Sequence, residues 1–300
     1  MRPSIRPQRV RVIFRGGLGN QLFQFSAGYA LARDLSLPLT LSTGIVHNPR
    51  AKFPRHFELF DYELPDYELD ASSPVGRGGK GVARDYLAAI VAGERCLTSR
   101  TLTEKASSTR LRAPKFGCEI VLDGYWQSED YFRQRPAEIR SIFARPKATN
   151  SAEEIAEDVA RDKSAVCVQV RRGDYALSPG IRKRHGLLGI DYFETALGQL
   201  ERLQPISQVF VFTDDPAWCE ANLQLGYPQT VVRVPEADNS PANSLFVLSR
   251  GHRFVVSNST FGWWGAWLSD ARGKQIVAPA AWFQDSTPSH RVVPSDWTRV

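Results

Sequence analysis

The pair Arg171-Arg172, followed by Gly173-Asp174, carries the strongest charge logic in this sequence. It directly follows Val166-Cys167-Val168-Gln169-Val170, a β-branched, mostly apolar run that reads as a buried strand. Adjacent guanidiniums at a strand end can offer forked donors to a pyrophosphate, and arginine suits bidentate phosphate contact. A plainer reading pairs Arg172 with Asp174 as a surface salt bridge, which would contribute little.

Three more strand-like runs end in polar clusters. Val209-Phe210-Val211-Phe212 leads into Thr213-Asp214-Asp215. Those carboxylates can meet a ribose or base, or simply start a helix with Pro216 in its first turn. Arg253-Phe254-Val255-Val256 leads into Ser257-Asn258-Ser259-Thr260, small donors placed where a helix should begin. A helix N-terminus there would favour an anion, and an ordinary capped helix with a tryptophan-rich core face is the alternative. Val10-Arg11-Val12-Ile13-Phe14 leads into Arg15-Gly16-Gly17-Leu18-Gly19-Asn20-Gln21. Gly17 and Gly19 allow backbone to approach a ligand closely, and Asn20 offers an amide. Ligands of open α/β sheets bind outside the carboxyl ends of the strands, so four such ends describe a site. A fifth run, Ile120-Val121-Leu122-Asp123, has a polar exit through Trp126, Gln127, Ser128 and Glu129.

The elements that must position these residues alternate regularly after about residue 148. The spacing predicts strands at 166–170, 209–213, 230–234, 253–257 and 275–278, and helices at 191–203, 216–223, 242–250 and 260–270. Such alternation implies a parallel sheet with crossover helices. Before it come a strand, a glycine turn, a helix from Gln21 to Leu35 that turns Leu22, Phe25, Ala30 and Leu31 to a core, and a second strand at 39–41. The segment 144–152 reads as a linker into a helix with Ser151 and Glu154 at capping-box spacing. The expected domains are therefore 1–147 and 148–300.

Composition narrows the class. The net charge of +6 and 42% hydrophobic content suit a globular protein with an anionic metabolite. The densest basic segment, Arg182-Lys183-Arg184-His185, has no interleaved aromatics and reads as a loop face rather than a nucleic-acid surface. Cys96, Cys118, Cys167 and Cys219 form no Cys-x-x-Cys pair, which points to reduced thiols rather than structural zinc. No membrane-length apolar stretch occurs, so a cytoplasmic protein is expected. Gly76-Arg77-Gly78-Gly79-Lys80-Gly81 lacks the Ser or Thr of a P-loop. Gly17-Leu18-Gly19-Asn20-Gln21-Leu22 resembles a dinucleotide fingerprint, but Leu22 replaces the third glycine and no acidic residue follows the second strand. The chain contains no Asp-x-Asp, so no metal site is expected and cationic work falls to arginine.

Together, Gly16–Phe25, Gly124–Glu129, Val170–Tyr175, Phe212–Trp218, Asn258–Leu268 and Ala278–Phe283 resemble the α-1,2-fucosyltransferase family, glycosyltransferase family 11, in order along nearly the whole chain. The resemblance implies a GT-B-like α/β fold with two Rossmann-like domains and a nucleotide site at the strand ends of the second. It implies an inverting, metal-independent transfer from GDP-β-L-fucose to the 2-hydroxyl of a terminal β-galactoside. It needs no cofactor, and a lipid-linked acceptor would add peripheral membrane association. Transfer to another linkage, or a silent glycan- or nucleotide-binding protein, are the alternatives. On this reading Arg171, Arg172 and Asp174 are catalytic, with Glu129 and Glu58 as other candidate bases. Gly17, Gly19, Asn20, Gln21, Gln169, Asp214, Asp215, Asn258, Ser259 and Thr260 meet the donor, and Trp126, Gln127 and Glu129 lie on the acceptor side. Gln169 departs from the family, which usually has His there; an amide cannot titrate but can hydrogen-bond sugar or phosphate.

Overall fold

The computed structural model describes residues 7–46, 55–71, 100–103, 119–235, 239–285 and 291–300. Cys96, Cys118 and the 76–81 glycine run lie outside them. The chain divides into two compact units, Met1–Phe60 with Leu64–Ile139, and Asp61–Glu63 with Arg140–Val300.

The first unit is built on β1 (Arg9–Ile13), α1 (Leu18–Leu35), β2 (Leu39–Ser42), β3 (Glu68–Asp70), β4 (Arg100–Thr103) and β5 (Glu119–Asp123). The strands form one sheet in the order β3-β2-β1-β5-β4, every pairing parallel. Alternation sets the faces of β1: Val10 and Val12 are fully buried, while Arg11 pairs with Asp70 and with Glu119 at 2.8 Å. Helix α1 begins three residues before the expected Gln21. Gly16, at φ +77°, turns the chain, and Gly17 occupies the cap position. Leu22, Phe25, Ala30 and Leu31 are buried as their spacing requires. Gly28 marks where α1 meets β1, since a Cβ there would run into Val12 Cγ2.

Helix α2 (Pro136–Phe143) carries the chain into the second unit. There follow α3 (Asn150–Arg161), β6 (Val166–Val170), α4 (Gly173–Leu177), α5 (Pro179–His185), α6 (Ile190–Glu201), β7 (Val209–Thr213), α7 (Pro216–Asn222), β8 (Gln229–Val231), α8 (Pro241–Ser249), β9 (Arg253–Val256), α9 (Thr260–Leu268), β10 (Gln275–Ala278) and β11 (Thr298–Arg299). The sheet order is β11-β10-β9-β6-β7-β8, again wholly parallel. One face packs Val166, Val168, Val170, Val209, Val211 and Val255 with Phe193, Leu197 and Leu200 of α6. Gln169, of opposite parity, lies against Gly262 of α9 instead. Trp263 and Trp264 are fully buried, and Trp263 donates its indole N–H to Val292 O at 2.7 Å, so the tryptophans of this helix are core.

Two expectations need correction. Arg182 to His185 form the last turn of α5 rather than a loop, where their charge complements the helix carbonyl end. The capping box at Ser151 and Glu154 does not form. Helix α3 starts at Asn150, and the hydroxyl of Thr149 in the cap position accepts from Arg145 at 2.9 Å. Arg253 opens the expected buried strand as β9 and donates to the carbonyls of Leu200 at 2.6 Å and Gln204 at 2.8 Å, satisfying the end of α6. Among the described residues no helix is long and apolar enough to cross a membrane.

Candidate functional site

In the second sheet β6 has β7 on one side and β9 on the other, so chain order reverses beside it. Such a switch point opens a crevice at the carboxyl ends of the strands. Ser257 closes the two exits together. Its hydroxyl donates to Gln169 O at 2.6 Å and accepts from Arg171 N–H at 3.2 Å.

The two arginines are held differently. Arg171 places one terminal nitrogen 2.7 Å from Asp214 Oδ2 and the other 2.6 Å from Asp174 Oδ1. Burial works against its charge, but these carboxylates outweigh it and hold the pKa above the ordinary value. Arg172 donates its backbone N–H to Asp214 Oδ1 at 2.8 Å. Its Nε lies 3.5 Å from Asp215 Oδ2, and its guanidinium carbon 3.5 Å from the Trp218 ring centroid. Among the described residues the terminal nitrogens of Arg172 meet no acceptor. Neither arginine forms the Arg172–Asp174 pair considered from sequence. Gly173 is required because a Cβ there would collide with the Asp214 carboxylate.

Asp214 and Asp215, expected at a ribose or base, are therefore engaged with the arginines. Asp215 Oδ1 also caps α7, accepting from Trp218 N–H at 3.3 Å. Asn258 is buried and its amide donates to the carbonyls of His185 and Trp282. Ser259 holds the cap position of α9 without a side-chain cap bond, and Thr260 opens the helix half-buried. Gln169 is buried, and its Oε1 meets no partner among the described residues. Tyr175 links the cluster, donating its hydroxyl to Asn258 O at 3.1 Å and stacking on His185 at 4.8 Å. His185 has a buried Nδ1 that meets no partner among the described residues, and burial and Arg184 lower its pKa.

The first unit has its own switch point, where β1 lies between β2 and β5. Asn20 Oδ1 accepts from Gln127 Nε2 at 2.8 Å, and Arg15 lies 2.7 Å from Asp123. Gly17 stands at the turn, and Gly19 is buried in the first turn of α1. Gln21, expected at the donor, is fully buried. It donates to Gly16 O at 2.9 Å and His56 O at 2.7 Å, and accepts from Glu58 N–H at 2.8 Å, so it braces the turn. Trp126 takes a left-handed φ of 57° and is buried against Tyr131. Glu129 begins a short 3-10 helix whose start Ser128 caps, and Glu58 begins another.

Sequence reasoning missed Gln24. It accepts from Arg15 N–H at 3.1 Å and donates to Gly124 O at 3.2 Å, joining the exits of β1 and β5. The signal was present: Gln21 and Gln24 lie three apart on the apolar face of a helix, and buried amides require such partners.

The pattern that defines glycosyl transferase family 11 matches residues 103–299. An α-1,2-colitosyltransferase of Escherichia coli is 27% identical across 95% of this chain and 96% of its own. The O-antigen biosynthesis glycosyltransferase WbnK, also of Escherichia coli, is 29% identical across 91% and 95%. The crystal structure of NodZ α-1,6-fucosyltransferase co-crystallised with GDP superposes with a TM-score of 0.51 over 87% of this chain and 92% of that one, at 15% identity. That likeness is one of fold, and the fold is the GT-B-like one with two parallel-sheet α/β units.

Proposed function

Because the chain belongs to glycosyl transferase family 11, we propose that it moves L-fucose from GDP-β-L-fucose to the 2-hydroxyl of a terminal β-galactoside with inversion, as a step of glycan or O-antigen assembly. The observation that carries this reading is the arginine pair at the exit of β6, oriented by Asp174, Asp214 and Asp215. In an inverting transfer the acceptor oxygen attacks the anomeric carbon opposite GDP. The bond to the β-phosphate oxygen breaks, and negative charge grows there. Donors already aimed at that charge lower the barrier. Arg172, with its terminal nitrogens unoccupied, meets the departing phosphate, and Arg171, paired with Asp174 and Asp214, braces the strand exit behind it.

Asp174 already holds Arg171 at 2.6 Å, and we assign it that orienting role rather than proton abstraction. The acceptor hydroxyl is instead acidified by the forming oxocarbenium, and its proton passes late to solvent water. On the other unit, Asn20, Gln127 and Glu129 offer amide and carboxylate groups suited to sugar hydroxyls. Charge neutralisation by arginine predicts that no divalent metal is needed. A second reading, colitosyl in place of fucosyl transfer, is favoured by the colitosyltransferase among the relatives.

The test is GDP release from GDP-fucose and from GDP-colitose, with a panel of β-galactosides, in excess EDTA. Turnover of GDP-fucose with a galactoside supports the first reading, and turnover of GDP-colitose alone supports the second. Loss of activity on chelation, restored by Mg²⁺ or Mn²⁺, overturns the arginine account. GDP binding without release from either donor makes the chain a binding protein.

A further inference from the structure

We propose that Trp218 is a positioning residue for Arg172: the indole sets the plane of the guanidinium and leaves its outer edge open to the leaving diphosphate. The proposal rests on the transferase reading above. The contrast with Arg171 carries it. Arg171 is fixed by two short ion pairs that occupy both terminal nitrogens, with the Tyr175 ring 5.4 Å away. Arg172 has a single ion pair, at 3.5 Å and through Nε, which is too long to orient a side chain strongly. The ring of Trp218 lies 3.5 Å from its guanidinium carbon. A carboxylate holds a guanidinium by its edge, using the donors that a phosphate would need. A ring holds it by its face and leaves those donors pointing outward.

Local sequence builds this clamp. Asp215 caps α7, Pro216 presets its first turn, and Trp218 follows at the third helical position. The cap bond runs from Trp218 N–H to Asp215 Oδ1, while Oδ2 faces Arg172 Nε. Asp215 thus fixes the start of the helix that carries the ring, while its long contact with Arg172 leaves the ring to set the guanidinium plane. Trp218 is half-buried and also packs against the core face that contains Val209 and Val211. A substitution must therefore separate positioning from packing.

The experiment compares Trp218→Leu and Trp218→Phe in the full chain, by melting temperature, by GDP affinity from calorimetry, and by turnover of GDP-fucose with a galactoside. Trp218→Leu should lower turnover by roughly 3- to 30-fold, the range of a face-on cation–π contact. It should weaken GDP binding in the same sense. Trp218→Phe, which keeps a face for the guanidinium, should recover most of both at a similar melting temperature. In an Arg172→Gln background, Trp218→Leu should cost no further GDP affinity, because the group it positions is gone. Wild-type behaviour of Trp218→Leu, equal losses in Leu and Phe that follow melting temperature, or additivity with Arg172→Gln would each overturn the proposal while leaving the transferase reading intact. A wild-type protein that neither binds GDP nor releases it from GDP-fucose overturns the transferase reading and this proposal with it.

Discussion

The exits of β1 and β6 occupy equivalent places in their sheets. Each strand lies at a switch point, β1 between β2 and β5, β6 between β7 and β9. Yet the side chains that join the neighbouring exits differ in kind. At β1 the linkers are mostly neutral amides: Gln24 bridges to β5, Gln21 braces the glycine turn, and Asn20 pairs with Gln127. At β6 they are charges: two arginines set among Asp174, Asp214 and Asp215. Shared topology places a polar edge, and residue type decides what that edge can hold. Amides match the hydroxyls of a neutral sugar, and forked cations match a diphosphate.

The comparison breaks most visibly at Arg172. Arg172→Lys keeps the charge but loses the planar fork, and removal of a donor acting on transition-state charge typically lowers the rate by about 10²–10³. Arg182→Lys, on the exposed face of α5, should leave turnover unchanged. Near wild-type turnover in folded Arg172→Lys would return the β6 exit to the role of a structural charge cluster.

A second pair of variants separates packing from chemistry. Gly28→Ala drives a Cβ into Val12 in the first unit, and Gly262→Ala brings one to 2.7 Å from Gln169 Oε1 in the second. Overpacking of this kind costs about 1–3 kcal/mol, so both should lower the melting temperature by several degrees. Only Gly262→Ala should also reduce turnover per folded molecule, because Gln169 adjoins the arginine pair through Val170. Equal turnover losses in the two variants would show that the charged exit is not set apart functionally from the amide one.

The smallest effect is expected at His185. Burial and Arg184 hold its pKa below the ordinary 6.5, against Asp174 and Asp285, which favour the charged form. The unfolded chain therefore takes up this proton at higher pH than the folded one. The stabilisation is complete above pH 6.5 and is lost as pH falls through the folded pKa. His185→Phe keeps a ring on Tyr175 and should flatten that part of the stability profile, measured by chemical denaturation across pH 5–8. An unchanged slope would place the proton elsewhere.

Much of this was legible before folding was considered. The strands at 166–170 and 209–213 stand where β-branched and aromatic runs predicted them, because parallel strands buried on both faces leave continuous apolar sequence. Helices α4 and α5 were not legible. Gly173, Pro179 and Gly180 read as breakers, and the basic run that follows shows no apolar stripe. Ser151 is not the cap because the helix already begins at Asn150, with Thr149 in the cap position.

Sequence by itself determined that polar clusters follow apolar strands at residues 15–21, 171–174, 213–215 and 257–260, since alternation and β-branching act locally. Only the tertiary structure decided which exits adjoin, because strand order depends on crossover connections that no local pattern records. It also decided that Arg171 meets Asp214, that Gln21 turns inward to brace a turn, and that Trp218 lies across Arg172. Arg171 with Asp214 and Arg172 with Trp218 are more than forty residues apart in sequence, and only the packed sheet brings them together.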